Sequence, residues 1–462
     1  MRALAALPLL LLAACSSDPA PTDGGLDAAA TDASRSDIAP TDAGAPTDTG
    51  PRVYPMPAVA NAVPPTDPRW EGQYTWLYDS FGEELLDGYP PADFMLGLMQ
   101  SEPAVFGNQF ASFGFLPDAN DEFPIGFKRG LVDRTRVHET CAVCHTSRLA
   151  DGRLWFGAPA TQLQIQRFIV EVDRRWVAAG HASHLGSGEE ARLLAQGPGR
   201  IDADTGAAMT IPTDFPTYYA LAQRPYLSIL GTSRDLRAEA FLSVYGSGAG
   251  NPDDRTARTP FPSDDVLLPF IAFLGTFNAP AAPTGDAALV AQGRTLFASQ
   301  HCDTCHHPND VAMNGVTPFD AAGVGERYPG QDPAYPQGLV ATDPLHFQLE
   351  AGSGSGGDAG FDPSLITFVQ FIARHHLSVG PSNGYRVPDL RGLAHTAPYL
   401  HNGSVPTLDA LLQPPAMRPS TWMRGTFPID TTTPGNSNRG HNFGTTLSVS
   451  DRAALVAYLQ SL

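Results

Sequence analysis

The chain has 462 residues, of which 42% are hydrophobic and only 17% are charged, so it can bury a sizeable core and form two domains. Its formal net charge of -19 argues against nucleic-acid binding and against adsorption to anionic lipid, because both need a cationic surface. The 45 glycines and 43 prolines predict long connecting loops.

Residues 1–15 have the layout of a signal peptide. Arg2 precedes an apolar stretch that ends at Leu12, and two alanines then lead to Cys15. This box resembles a bacterial lipoprotein cleavage site, in which Cys15 becomes the lipid-anchored first residue; ordinary secretory cleavage beside a chance cysteine is the alternative. We therefore expect an exported protein of the periplasm or cell envelope. The outer membrane is favoured, and the lipid anchor is the expected membrane contact.

The next segment, residues 16–68, is rich in Ala, Asp, Thr, Pro and Gly and contains few large apolar residues. Such a composition buries too little surface to offset the entropy lost on folding. We predict a disordered acidic tether that holds a folded body away from the membrane.

The remaining cysteines form two Cys-x-x-Cys pairs, each followed at once by histidine. They are Cys141, Cys144 and His145, and Cys302, Cys305 and His306. Cysteines in an exported chain often form disulfides, and one such pair can also be redox-active or half of a zinc site. The repeated histidine instead favours covalent haem, because the two thiols add to the haem vinyl groups and the histidine reaches the iron. The sequence therefore predicts two covalently attached haems of the c type.

Two amphipathic helices frame the second of these motifs. Residues 286–300, with Gly293 inside, predict a helix that leads directly into Cys302, and residues 450–462 predict a final helix with Ser448 or Ser450 as its N-cap. In small cytochromes c the first and last helices cross and clamp the haem.

The Pro- and Gly-containing run 278–286 is the predicted domain boundary. We expect a mainly α-helical fold with long loops, in which residues 69–280 form a first haem c domain and residues 281–462 a second one.

Several motifs carry a more specific resemblance. In the second half they are the run from Tyr385 to Leu412, which includes His401, and the run from Gly435 to Thr445, which includes His441; in the first half they are Pro124–Lys128, Cys141–Arg148, Gly157–Ala160 and Gly199–Ala203. Together they resemble the bacterial di-haem cytochrome c peroxidase superfamily, and within it the rubber-oxygenase-like branch.

This resemblance implies a division of labour between the haems. The first haem, with His145 as proximal ligand, would bind peroxide or dioxygen, and the second haem, on His306, would relay electrons. His441 matches the position that supplies the sixth ligand of the second haem, while Met417 and then Met423 are the rivals, because thioethers also bind haem iron. A loop histidine without a ligand role is the alternative for His441.

The chain also departs from the superfamily. The stretch of about residues 226–246, where the branch would supply a bridging tryptophan between the haems, has none, and Phe241, Tyr245 and Trp155 are the candidate substitutes. No distal acid or base can be named from the sequence, so the catalytic residue is unknown. An inter-domain calcium ion is compatible with the sequence but cannot be derived from it.

Three functions remain open at this point. The first is a redox enzyme that turns over a small oxidant at the first haem. The second is an electron-transfer cytochrome with two six-coordinate haems that exchanges electrons with a small redox protein. The third is an interaction or sensor lipoprotein that merely carries haem. No nucleic-acid partner is expected.

Overall fold

The computed structural model describes residues 54–79, 81, 89–202, 212–227, 233–246, 262–314, 316–318, 376–379, 384–433 and 435–462. The predicted signal peptide with Cys15, and the tether as far as residue 53, lie outside these residues.

Short helices alternate with two-stranded sheets. The helices are α1 Trp70–Tyr78, α2 Ala92–Ser101, α3 Pro103–Phe106, α4 Cys141–Cys144, α5 Ile165–Ala178, α6 Glu189–Leu194, α7 Leu236–Gly246, α8 Asp264–Leu274, α9 Ala287–Ser299, α10 Leu408–Leu411 and α11 Val449–Gln460. The strands are β1 Phe127–Arg129, β2 Val137–Glu139, β3 Thr146–Arg148, β4 Leu154–Phe156, β5 Arg200–Asp202, β6 Pro212–Asp214, β7 Val316–Pro318, β8 Gly384–Arg386, β9 Thr421–Arg424 and β10 Phe427–Asp430.

The strands pair as five antiparallel hairpin-like ladders within the described residues, β1 with β2, β3 with β4, β5 with β6, β7 with β8 and β9 with β10. The sequence predicted helices and loops but none of these ladders, because strands of three or four residues are too short to show an alternating pattern.

The two helices α9 and α11 cross as predicted. The side chain of Asp286 accepts hydrogen bonds from the first turn of α9. Ser448, one of the two N-caps predicted for the last helix, does the same for α11. A Cβ atom on Gly293 would lie 2.0 Å from the carbonyl oxygen of Ala454, which shows how closely the helix backbones approach. Phe297 and Tyr458 pack around this crossing in a shared core.

A second helix pair, α1 with α8, repeats this arrangement in the first half of the chain. Here the glycine at the crossing is Gly72, whose Cβ would lie 2.0 Å from the carbonyl oxygen of Pro269. Trp76 and Phe273 are fully buried beside the crossing. In the described part of each half, a close helix pair therefore has a glycine at its contact.

The predicted tether extended too far. Tyr54 is buried and its ring stacks on that of Trp70, and Val59 is buried and bridges to Leu154. Residues 54–68 thus belong to the first folded core, although their isolated apolar residues show no periodicity that would have revealed it.

An aromatic core holds the first Cys-x-x-Cys-His motif. Phe110, Phe127 and Phe168 are completely buried in one cluster that also contains Val143 and Cys144. A Cβ on Gly126, just before β1, would lie 2.2 Å from the backbone nitrogen of Val143. The core therefore packs directly against the helix that carries the cysteines.

No helix in the described ranges combines the length and the hydrophobicity needed to cross a membrane.

Candidate haem sites

The first motif forms one helical turn, α4, that ends at its histidine. The side chain of Thr140 caps the turn by accepting a hydrogen bond from the backbone of Ala142, and the His145 backbone N–H donates to the Cys141 carbonyl at 3.2 Å. Cys141 and Cys144 therefore lie one turn apart on the same face of this turn.

A neighbouring loop fastens the end of this turn. The backbone N–H of Gly157 donates to the carbonyl of His145 at 2.8 Å, and that of Ala160 donates to the carbonyl of Cys144 at 2.9 Å. The segment Gly157–Ala160, which contributed to the family resemblance, is thus a backbone support for the Cys-x-x-Cys-His turn.

The ring of His145 is oriented by a backbone carbonyl. Its Nδ1 atom lies 3.1 Å from the carbonyl oxygen of Pro216. When Nδ1 donates to this oxygen, the lone pair of Nε2 points away and is available to a metal. Burial lowers the pKa of His145 to about 4, so the imidazole is neutral at physiological pH, as a metal ligand must be.

Aromatic rings surround His145. The Tyr218 ring stacks on the imidazole with ring centres 3.8 Å apart and planes 20° apart. Trp76 and Phe215 each have ring centres 6.4 Å from it. These apolar neighbours suit a porphyrin face, and the sequence analysis had not singled out any of them for this role.

The second motif repeats this local geometry. Cys302 begins a 3₁₀ turn, Cys302–Thr304, and the backbone N–H of His306 donates to the Cys302 carbonyl at 3.0 Å. The His306 Nδ1 atom lies 3.3 Å from the carbonyl oxygen of Pro388, and burial lowers its pKa to about 4. Burial also raises the pKa of Cys302 to about 12, so the thiol is uncharged.

Each proximal-type histidine therefore contacts a proline that follows a strand by two residues. Strand β6 ends at Asp214, before Pro216, and strand β8 ends at Arg386, before Pro388. This strand–apolar–proline repeat was present in the sequence as Asp-Phe-Pro and Arg-Val-Pro, but it is too short to be recognised without the contacts.

The structure brings His441 next to His306. Their ring centres are 6.3 Å apart, with planes 48° apart. Metal–nitrogen bonds to histidine are about 2 Å long and the ring centre lies about 1 Å beyond the nitrogen, so two imidazoles on opposite sides of one metal have centres roughly 6 Å apart. The pair therefore fits a metal between the two rings.

The side chains of the rival thioether ligands are mostly exposed. Met417 and Met423 have exposed fractions of 68% and 58%. In contrast, burial and the nearby His306 and Arg418 lower the pKa of His441 to about 3, which keeps its imidazole neutral. Of the three sequence candidates, His441 is the one in ring contact with His306.

The loop that carries His441 is organised by Arg418, a residue that the sequence analysis missed. This guanidinium is 4% exposed and donates to five backbone carbonyls, which are those of Asn438, Gly440, His441, Leu411 and Gln413. His441 itself adopts a left-handed backbone conformation with φ of 51°, which is strained for a residue with a side chain. Arg418 thus holds a strained loop in one arrangement.

The candidate bridging aromatics occupy different environments. Phe241 is buried in the first core, while the indole N–H of Trp155 donates to the carbonyl of Asn278 at 2.8 Å. The side chain of Tyr245 lies outside the described residues.

The two cysteine pairs do not converge. Within the described residues, which include all four of these cysteines, there is no cluster of three or more His, Cys, Asp and Glu side chains arranged to hold a metal ion.

Residues 384–423 match the family described as RoxA-like, cytochrome c-like. This match includes Pro388 and the motif around His401, and it supports a cytochrome c-like domain with haem c as its cofactor in the second half of the chain.

The uncharacterized protein y4iJ of Sinorhizobium fredii is 40% identical over 236 residues, which cover 38% of this chain and 39% of that protein. The chain thus spans well under half the length of this relative.

Two solved structures show a weak overall likeness. Hydrazine synthase of Kuenenia stuttgartiensis is 16% identical with a TM-score of 0.30, covering 60% of this chain and 80% of that chain. A MauG-like protein associated with microbial copper homeostasis is 18% identical with a TM-score of 0.29, covering 58% of this chain and 80% of that chain. At these TM-scores no residue assignment follows from either likeness.

Proposed function

We propose that this protein is an exported di-haem c-type cytochrome that acts as an oxidoreductase. The observation that carries the proposal is a repeated geometry: in each Cys-x-x-Cys-His turn, two thiols lie one turn apart and the histidine directs Nδ1 at a proline carbonyl, His145 at Pro216 and His306 at Pro388. This arrangement presents Nε2 to an iron beside two thiols that can form thioether bonds.

The proposed domains are residues 69–280 and 281–462, with the first now extended back to residue 54. The two glycine crossings support this division, because α1 with α8 closes the first unit and α9 with α11 closes the second. The boundary falls between α8 and α9, in the run that Pro and Gly residues mark in the sequence.

The two irons would have different surroundings. His306 has His441 at a spacing that fits a second axial ligand, whereas the described ring neighbours of His145 are Tyr218, Trp76 and Phe215. This difference favours a six-coordinate second haem that relays electrons and a first haem open to peroxide or dioxygen. A haem supplies electron transfer and oxidant binding, while the protein supplies the neutral imidazoles, the aromatic wall and the fixed loop at His441.

The alternative is a non-enzymatic electron-transfer cytochrome in which both irons are six-coordinate. The spacing of His306 and His441, which fits two axial ligands of one iron, would serve this function equally well. In both versions a small redox protein is the electron donor or acceptor, and the proposed location is the periplasm or cell envelope, with a lipid anchor at Cys15.

Carbon monoxide binding separates the two functions. It binds ferrous haem only where an axial position is open or weakly held. We expect reduced holoprotein to bind one carbon monoxide for every two haems, at the haem on His145. If none binds, the enzyme proposal fails. If two bind, the assignment of His441 as a firm axial ligand fails.

A further inference from the structure

Tyr218 covers one face of the His145 imidazole. The two rings are stacked, with their centres 3.8 Å apart and their planes 20° apart. A ring that stacks on the face of an imidazole leaves the edge of that imidazole free, and Nε2 binds a metal at the edge. Stacking on Tyr218 and binding of iron are therefore compatible contacts of the same histidine.

A closed set of backbone contacts keeps the two rings together. The N–H of Gly157 donates to the carbonyl of His145 at 2.8 Å, and the N–H of Tyr218 donates to the carbonyl of Gly157 at 2.9 Å. Two residues before Tyr218, the carbonyl oxygen of Pro216 lies 3.1 Å from Nδ1 of His145. The backbones of the histidine and the tyrosine are therefore both fixed, which keeps their rings in contact.

The second unit repeats the backbone of this frame. Four residues after the proline that faces each histidine, Ala220 and Gly392 both adopt a left-handed conformation, with φ of 54° and 70°. A 3₁₀ turn follows directly in both units. The two segments thus align from the strand through the proline to the turn without a gap, and this alignment places Leu390 at the position of Tyr218.

The two sites differ in the side chain at this position. Leu390 is buried in the apolar core of the second unit, together with Phe297 and Tyr458. Leucine has no π face, so it cannot stack on an imidazole as tyrosine does. Within the described residues, the ring neighbour of His306 is instead His441, the candidate second axial ligand.

The stacked ring bears on the oxidation state of the iron. The π face of a phenol ring is negative, and it attracts cations and electron-poor groups that lie over it. An imidazole bound to ferric iron is more electron-poor than one bound to ferrous iron, because the metal of higher charge withdraws more electron density from its ligand. Stacking on Tyr218 therefore stabilises the ferric state more than the ferrous state.

We propose that Tyr218 is a positioning residue for the proximal ligand of the first haem, which fixes the plane of the His145 imidazole and lowers the midpoint potential of that iron. This inference rests on haem attachment as proposed above. A proximal ligand that favours ferric iron also favours electron transfer from the iron to a bound oxidant, which is the step proposed for this haem. Leucine at the corresponding position leaves the second haem without this effect.

The test is a spectroelectrochemical titration of both haem midpoint potentials in the full-length holoprotein. Tyr218→Leu copies the residue of the second unit, and we expect it to raise the midpoint of the haem on His145 and to leave the other midpoint unchanged. Tyr218→Phe keeps the ring without the hydroxyl group and should retain both wild-type midpoints. A variant with Cys302 and Cys305 replaced by alanine, which keeps the first cysteine pair, assigns each midpoint to its haem.

Tyr74 provides a matched control in the same unit. It lies in α1 and stacks on Tyr78, with ring centres 5.2 Å apart and planes 21° apart. The ring neighbours of His145 in the described chain do not include it. Tyr74→Leu thus removes a stacked tyrosine without touching the histidine, and both midpoints should stay at their wild-type values. Equal shifts in Tyr74→Leu and Tyr218→Leu would show a general loosening of the unit and would overturn the proposed role.

The remaining outcomes concern the nature of the contact. A lowered first midpoint in Tyr218→Leu would contradict the stabilisation of ferric iron. A shift in Tyr218→Phe as large as that in Tyr218→Leu would assign the effect to the hydroxyl group and reject the stack. If Tyr218→Leu does not retain its haem, Tyr218→Trp decides the question, because indole attracts cations most strongly and should lower the midpoint. An unchanged or raised midpoint in that variant would reject the stack.

Intact-mass measurements separate this inference from the proposed function. A wild-type protein without two covalent haems would defeat the proposed function. Two attached haems, with the same first midpoint in wild type and Tyr218→Leu, would overturn the role of Tyr218 alone.

Discussion

Replacing Gly293 by alanine should separate the helices that close the second unit. The new Cβ would lie 2.0 Å from the Ala454 carbonyl oxygen and 2.7 Å from the Cβ of Tyr458, well inside the 3.4 Å at which ordinary contact begins. The clash is with backbone, so rotating a side chain cannot relieve it. Overpacking costs about 1–3 kcal/mol, and alanine regains about 0.5–1 kcal/mol over glycine in a helix. The net expected loss is about 1 kcal/mol.

A matched control exists in α2. A Cβ on Gly97 would meet nothing within 4 Å, so Gly97→Ala should instead stabilise the protein by about 0.5–1 kcal/mol through helix propensity. Urea unfolding followed by far-UV circular dichroism measures both changes, and the absorbance of the second haem reports whether its unit loosens. Equal stability of Gly293→Ala and the wild type would refute the close crossing of α9 and α11.

Three further substitutions test the second haem site. His441→Ala should convert one haem from low spin to high spin in the electron paramagnetic resonance spectrum, whereas Met417→Ala should not; the reverse pattern would reject His441 as ligand. Arg418→Ala should raise the high-spin fraction because the strained loop loses five hydrogen bonds. Arg418→Lys should raise it less, because lysine keeps part of these contacts. An unchanged spectrum in Arg418→Ala would show that the loop keeps its conformation without the arginine. Replacing Cys302 and Cys305 together by alanine should remove one haem mass and leave the first haem spectrum intact; loss of both haems would contradict separate sites.

The second unit was the more predictable one. Its two helices and the cap at Ser448 agree with the sequence prediction because capping side chains and a 3.6-residue apolar period are local signals. Gly293 was visible inside its helix, although its contact with Ala454 was not. Both Cys-x-x-Cys-His motifs could also be recognised from the sequence, because each is a pattern of five consecutive residues.

The first unit was less predictable. Its closing helices α1 and α8 are about 190 residues apart, and α8 contains Pro269, which normally breaks a helix. The packing of Tyr54 onto Trp70 likewise depends on a tertiary contact in a Pro-rich segment that composition alone marks as disordered. Local propensity carries no information about such contacts.

The supporting residues of the candidate sites were invisible for a similar reason. Arg418 looks like any other arginine in the sequence, and its role follows from its burial and from the five backbone carbonyls that it contacts. The carbonyls of Pro216 and Pro388 have no sequence signature beyond a two-residue repeat. Sequence therefore predicts which residues bind covalently, while the fold determines what orients them.

The central claim is that two haems are attached by thioether bonds at two separate turns. The most direct test is intact-mass spectrometry of the purified, denatured protein, combined with peptide mapping of the two Cys-x-x-Cys-His segments. We predict a mass that exceeds the polypeptide by two haems, one on the peptide of Cys141 and Cys144 and one on that of Cys302 and Cys305. A polypeptide mass without added haem, or with both cysteine pairs unmodified, would contradict the account.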